Sequence, residues 1–176
     1  MFCQRIKLIP DIDVPINFIR GRIFGVLHVL FGKHGSCFAI SFPNYDETIN
    51  DLGSEILVAC AEEEKLENLA LKKELADYCE YAKVSGISER ENILYFKRVH
   101  PRNSVDNQIR SRIKHGFGYN KEEIKKKTKT VNAEIFKYPY IQLKSLSNKQ
   151  RFNIFVKPVE YGGELSSYGL VTGRKD

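Results

Sequence analysis

Residues 2–31, FCQRIKLIPDIDVPINFIRGRIFGVLHVLF, decide how the rest of the chain reads. Gln4, Ile6 and Leu8 fall on one face and Arg5 and Lys7 on the other, the two-residue period of a half-buried strand over Phe2 to Ile9. Pro10, which lacks an N–H for a sheet ladder, ends it. Pro15, whose fixed φ suits a first helical turn, then opens a helix. Its apolar residues Ile16, Ile19, Ile23, Val26, Leu27 and Leu30 recur at helical spacing, and Gly32 and Gly35 bracket its end.

Downstream, Ser36 to Phe42 is rich in β-formers and stops at Pro43-Asn44, and Glu55 to Cys60 reads as a third strand. Glu62 to Lys83 reads as a helix whose first-turn acids suit the positive end of its dipole, and Ile93 to Val99 as the fourth strand. The order β-α-β-β-α-β is the ferredoxin-like unit, a frequent scaffold for RNA binding that does not by itself dictate function.

Beyond His100 the composition changes. Ser104 can cap a helix with Val105, Ile109 and Ile113 as its apolar stripe. Asn107, Gln108, Arg110, Ser111, Arg112, Lys114 and His115 cover the remaining arc, and Gly116 ends it. Five further lysines lie between Lys121 and Lys129. Tyr140 to Lys144 and Gln150 to Val156 read as a hairpin around Ser147-Asn148-Lys149, with a last short strand near Ser167 to Val171. The expected fold class is therefore α+β. An N-terminal ferredoxin-like (βαββαβ) domain over residues 1–99 precedes a basic C-terminal α/β region over residues 100–176, which carries the basic helix and the hairpin.

The charge follows the same division. From Met1 to Arg90 there are 10 Lys and Arg against 14 Asp and Glu; from Glu91 to Asp176 there are 18 against 8. A net charge of +6 thus conceals an acidic first part and a strongly basic second part, which is where a polyanion site belongs. A chain of 176 residues buries roughly 70% of its unfolded surface and needs neither a disulfide nor a metal to hold a core. Cys3, Cys37, Cys60 and Cys79 are far apart, with no CxxC pair or Cys/His cluster, which argues against a zinc or redox site and for free thiols in a reducing cytoplasm. The longest apolar stretch, Ile16 to Phe31, is broken by Arg20, Arg22 and His28, so neither a secretory leader nor a membrane span is expected.

Several side chains admit two readings. His28, between Leu27 and Val29, is either a helix histidine satisfied by a backbone carbonyl or a general base facing the basic region. The helix Ser104 to His115 is either a solvated face or a surface lying along RNA phosphates. Arg98 and His100 share one face at a strand end, where arginine can be an ion-pair partner or a reader of the O6/N7 edge of guanine. Ser145 and Ser147 read first as turn residues, and Lys125 to Lys127 as a solvated patch.

Five segments together resemble one family, the CRISPR-associated repeat-RNA endoribonucleases of the type I-F systems. They are Phe24-Gly25-Val26-Leu27-His28; Ile40-Ser41-Phe42-Pro43 with Asp46-Glu47; Arg98-Val99 followed by the basic helix; Leu143-Lys144-Ser145-Leu146-Ser147 leading to Phe152; and Tyr168-Gly169-Leu170. They stand in the family's order and spacing across nearly the whole chain. Three positions depart from the pattern: His100 replaces a glutamine that reads an adenine, Asn148 replaces a threonine, and the basic helix has fewer arginines.

The resemblance implies a cytoplasmic enzyme without metal or cofactor that cuts the repeat hairpin of precursor CRISPR RNA at its 3′ base through the RNA's own 2′-hydroxyl. It implies that His28 moves a proton, that Ser145 holds the ribose beside the scissile phosphate, and that Tyr168 supports the site. Ser147, Asn148 and Phe152 would contact the RNA near the cut. Arg98 and His100 would read bases, and Arg102, Asn107, Arg110, Ser111, Arg112, Lys114 and His115 would line the hairpin's major groove. It further implies that the protein is a monomer alone, stays on the mature guide RNA and joins the other subunits of the type I-F surveillance complex. Two-metal hydrolysis wants clustered carboxylates, whereas Asp106, Glu122, Glu123 and Glu134 are scattered through the basic region.

Overall fold

The alternation in the first strand is realised in β1 (Phe2–Leu8), where Ile6 and Leu8 are wholly buried and Lys7 is exposed. The structure, a computed structural model, describes residues 1–35, 37–89, 93–145, 147–160 and 162–172. Ser36, at the start of the second expected strand, and Leu146, in the hairpin turn, lie outside the described residues. After β1 comes α1 (Ile16–His34), preceded by Pro15 and ended at Gly35, whose φ of +94° few L residues adopt. β2 (Ala39–Ser41) and β3 (Glu55–Cys60) follow, and β1 pairs antiparallel with β3 on one side and with β4 (Ala82–Glu89) on the other. The sheet order β2-β3-β1-β4 is that of a ferredoxin-like unit.

The segment between β3 and β4 differs from the expected single helix over Glu62 to Lys83. It consists of α2 (Glu63–Asn68), α3 (Leu71–Glu74) and a 3₁₀ turn, Ala76–Tyr78, because Ala70 adopts a left-handed conformation with φ +47° that breaks the α-helical ladder. The chain is extended again from Ala82. β4 therefore takes the fourth place in the sheet that the sequence assigned to Ile93 to Val99. That later segment is still a strand, β5 (Tyr95–Val99), but it belongs to a second antiparallel sheet.

Two helices intervene before the second sheet is completed. The Ser104 hydroxyl accepts the Asn107 N–H at 3.3 Å and so caps α4 (Val105–Lys114), as the sequence indicates, and Asn120 caps α5 (Lys121–Ile135), which carries the lysine run. β6 (Tyr140–Lys144) and β7 (Arg151–Val159) then form the expected hairpin, and the sheet order is β5-β7-β6. The strand expected near Ser167 to Val171 is instead a turn held by single bridges from Val171 to Lys97 and Leu165.

One helix serves both sheets. Ile23, Phe24, Leu27 and Phe31 of α1 share a continuous core with Ile6 and Val58 of the first sheet and with Phe96, Ile141, Ile154 and Val156 of the second. Each such burial is worth about 1.5–3 kcal/mol. At Gly21 the backbones of α1 and β6 come so close that a Cβ would sit 2.0 Å from the Gln142 carbonyl oxygen. Arg20, also buried, donates to Asn17 Oδ1 and to the Gly53 carbonyl and lies 3.6 Å from Asp51, which ties the loop after β2 to α1. Among the described residues no helix is long and apolar enough to cross a membrane.

Candidate active site

His28 lies at the edge of the apolar stripe of α1, half-buried, two turns beyond Gly21. Its Nδ1 is 3.0 Å from the Ser167 carbonyl oxygen. A carbonyl only accepts, so Nδ1 carries the hydrogen, and in the neutral ring the lone pair is on Nε2. The imidazole also lies flat on the Tyr168 ring, with centroids 3.9 Å apart and planes within 7°. Phe24 continues the stack at 6.0 Å, and the Arg98 guanidinium stands 5.7 Å from the Tyr168 centroid.

The turn that carries Ser167 and Tyr168 is itself braced. The Ser166 N–H and hydroxyl both donate to the Leu170 carbonyl, and the Gly169 carbonyl accepts the Ile40 N–H from β2. Gly169 has φ +68°, and a Cβ there would approach Ile40 and Phe31 to within 3.0 Å, so glycine is required both by conformation and by space.

Opposite α1, the hairpin end presents Ser145 and Ser147, whose hydroxyls are 3.1 Å apart. Backbone bonds from Ser145 N–H to the Gln150 carbonyl and from Lys149 N–H to the Ser145 carbonyl close the turn, and the Asn148 backbone N–H donates to Ser145 Oγ at 3.4 Å. Between α1 and this hairpin lies a cleft of about 750 Å³. His28, Ser145, Ser147, Phe152 and Tyr168 all line it. Five expected site residues from three distant segments thus meet in one cavity.

The remaining expected residues lie elsewhere. Arg98 borders the site through Tyr168, and its Nε is buried without a hydrogen-bond partner among the described residues. His100 follows β5; partial burial and the adjacent Arg98 cation push its imidazole below the ordinary range. Asn107, Arg110, Ser111, Arg112, Lys114 and His115 are exposed on and just after α4, and none of them lines the cleft. Arg112 donates to the Gly118 carbonyl, and with Arg102 it lines a separate cavity of about 300 Å³ between α4 and α5. The Arg102 backbone is held by Asn132 of α5 through bonds in both directions.

Residues 3–173 match the family described as CRISPR-associated protein (Cas_Csy4). The chain belongs to that family. It is also similar to two proteins named CRISPR-associated endonuclease Cas6/Csy4. One, from Escherichia coli (strain UTI89 / UPEC), is 26% identical over 94% of this chain and 92% of the relative. The other, from Pseudomonas aeruginosa (strain UCBPP-PA14), is 25% identical over 96% of this chain and 94% of the relative.

For this Cas_Csy4 family member the structure adds cleft residues that sequence reasoning passed over. Arg22 and Lys33 from α1 and Lys144 and Arg151 from the hairpin give the cleft four cations, and Glu74 is its one carboxylate among the described lining residues. A signal was present: Phe18, Arg22, Gly25, Val29 and Lys33 form a helical stripe opposite the buried Phe24, Leu27 and Phe31. The cationic lining favours a phosphate-bearing ligand.

Proposed function

We propose that the chain is an endoribonuclease that recognises the repeat hairpin of precursor CRISPR RNA and cuts at its 3′ base. The observation that carries this reading is the cleft in which His28, with Nε2 free, shares a cavity with Ser145, Ser147, Phe152 and Tyr168. The 2′-oxygen of the nucleotide before the cut attacks its own phosphorus and its proton passes to His28 Nε2. The bond from phosphorus to the 5′-oxygen then breaks; that oxygen takes a proton from the solvent and leaves as a 5′-hydroxyl, the other product being a 2′,3′-cyclic phosphate or, after hydrolysis, a 3′-phosphate.

Ser145 holds the ribose in line and Phe152 stacks on a base, while the Ser167 carbonyl and the Tyr168 ring fix the imidazole. Such a reaction needs alignment and one moved proton, which a neutral histidine supplies without a metal. The cationic lining supports this route, because it holds a phosphate without clustered carboxylates. In this reading residues 1–99 act as the scaffold that delivers His28 and Arg98, and residues 100–176 hold the RNA through His100, Arg102 and the polar arc of α4. The protein acts in the cytoplasm as a monomer, stays on the cleaved hairpin and joins the other subunits of a type I-F surveillance complex.

A hairpin with a single 2′-deoxy nucleotide immediately 5′ of the scissile phosphate tests the mechanism. It should bind and remain intact, whereas the all-RNA hairpin is cut in excess EDTA. Cleavage of the deoxy substrate at the same position would assign the attack to water or a protein group. Binding without cleavage of any RNA would make the protein a non-catalytic hairpin-binding module.

A further inference from the structure

We infer that the outward face of the second sheet is a separate binding surface for single-stranded RNA continuing from the hairpin. Its inward face is buried under α1 through Ile141, Ile154 and Val156. On the outward face the register places Lys97 opposite Lys157 and Lys144 opposite Arg151. Like charges in directly opposed positions destabilise an antiparallel pair. Among the described residues no carboxylate forms an ion pair with any of the four. The sheet therefore carries two like-charge pairs with no carboxylate partner among the described residues, a pattern that a bound polyanion would neutralise.

The register is unbroken along β7, so residues 151, 153, 155 and 157 share this face. Beside the cations stand Phe136 and Tyr140, 60% and 39% exposed, both packed on Phe155 at centroid distances of 5.4 and 5.8 Å. Exposed rings among unpaired cations are the combination that holds single strands, with bases stacking and phosphates pairing. An acidic protein would use the cations but has no need of the rings. Lys144 and Arg151 also border the cleft, so the cationic track starts at the cleft and runs roughly 20 Å along β7. The identity of the strand rests on the proposed function; the presence of a polyanion surface does not.

The test uses the full chain and uncleavable 2′-deoxy-substituted hairpins, bare or with an unstructured extension, together with an unstructured RNA alone, read by fluorescence anisotropy over a salt series. For the unaltered protein the extension should tighten binding. In the double variant Lys97→Gln, Lys157→Gln that gain should disappear, and the salt slope on the extended RNA should fall by about 0.7 per lost contact, or about 1.4, with the bare hairpin bound as before. Phe136→Ala should weaken only the extended RNA, by roughly 5-fold or more. Lys157→Gln alone should raise the thermal midpoint, because it removes one repulsion. An extension gain that survives the double variant, or equal losses on bare and extended hairpins, would overturn the inference. If no hairpin is bound but unstructured RNA is held in a Lys97- and Lys157-dependent way, the surface stands and the hairpin reading falls.

Discussion

Replacing Gly21 with alanine perturbs the point where the two sheets are joined through α1. The added methyl would lie 2.0 Å from the Gln142 carbonyl oxygen, and ordinary contact begins at 3.4 Å, so the backbones of α1 and β6 must part by roughly 1.4 Å. Overpacking of this kind costs about 1–3 kcal/mol, and a backbone-against-backbone clash belongs at the upper end. Removing a helical glycine returns about 0.5–1 kcal/mol, which leaves a net loss of about 2 kcal/mol. For a chain of this size that lowers the thermal midpoint by about 4–8 °C. The effect on catalysis is larger, because His28 and Ser145 stand on the two elements being separated. A displacement near 1 Å costs on the order of 10² in rate where in-line geometry matters. The control is Gly32→Ala on the same helix, where a Cβ meets nothing within 4 Å. It should add about 0.4–1 kcal/mol of stability and leave cleavage unchanged. Calorimetry and single-turnover cleavage of a hairpin RNA would check both variants. Equal stability and equal rates for Gly21→Ala and Gly32→Ala would refute the argument that the α1–β6 approach sets the site.

Three further outcomes follow from the site. His28→Ala should slow single-turnover cleavage by roughly 10² or more with hairpin affinity nearly unchanged, whereas equal losses in both would make the imidazole structural. Arg110→Ala and Lys114→Ala, exposed on α4, should each lower the salt slope of hairpin binding by roughly 0.7 to 0.9; Arg112→Ala should in addition loosen the turn at Gly118, seen as faster amide exchange there. The His100 imidazole should titrate by NMR below the usual value, since burial and Arg98 both disfavour its charged form. In Arg98→Ala the midpoint should move upward, and an unmoved midpoint would remove Arg98 as a cause.

Local signals were sufficient for β1, α1, β2, β3, the β6–β7 hairpin and the Ser104 cap, because in each the period or the turn residue matches the tertiary environment. Residues 62–89 mislead for a physical reason. β4 pairs Ile87 with Gln4 and Val84 with Ile6, a one-residue slip that places Ser85 and Gly86 in a bulge. Val84 and Ile87 are three apart, which reads as helical spacing, yet the bulge returns both to one face of a strand. The Ser85 hydroxyl, accepting the Arg5 N–H, and its carbonyl, accepting Gln4 Nε2, hold the bulge, and neither contact has a local signature. Upstream, Leu66, Leu69, Leu71 and Leu75 are all buried although no single helix puts them on one stripe. The left-handed Ala70 reconciles them, and alanine gives no warning of that conformation.

The cleft was legible as a list of residues and not as a place. Periodicity puts His28 at the boundary of the apolar stripe, where both a satisfied helix histidine and a general base are consistent. The structure realises the first: the carbonyl that satisfies Nδ1 belongs to Ser167, 139 residues away. Under the proposed function the second is compatible with it, because a ring held through Nδ1 can take a proton at Nε2. That contact exists only if the turn at Ser166 to Leu170 is docked on Ile40, which needs Gly169, and if α1 lies close against β6, which needs Gly21. Neither glycine supplies a side chain to the chemistry, although Gly21 lines the cleft, and each is required because a Cβ would meet atoms of a distant segment. The orientation of the imidazole is therefore set by the packing of both sheets on one helix. Substitutions at either glycine should act on the rate through geometry while every proposed catalytic group remains present.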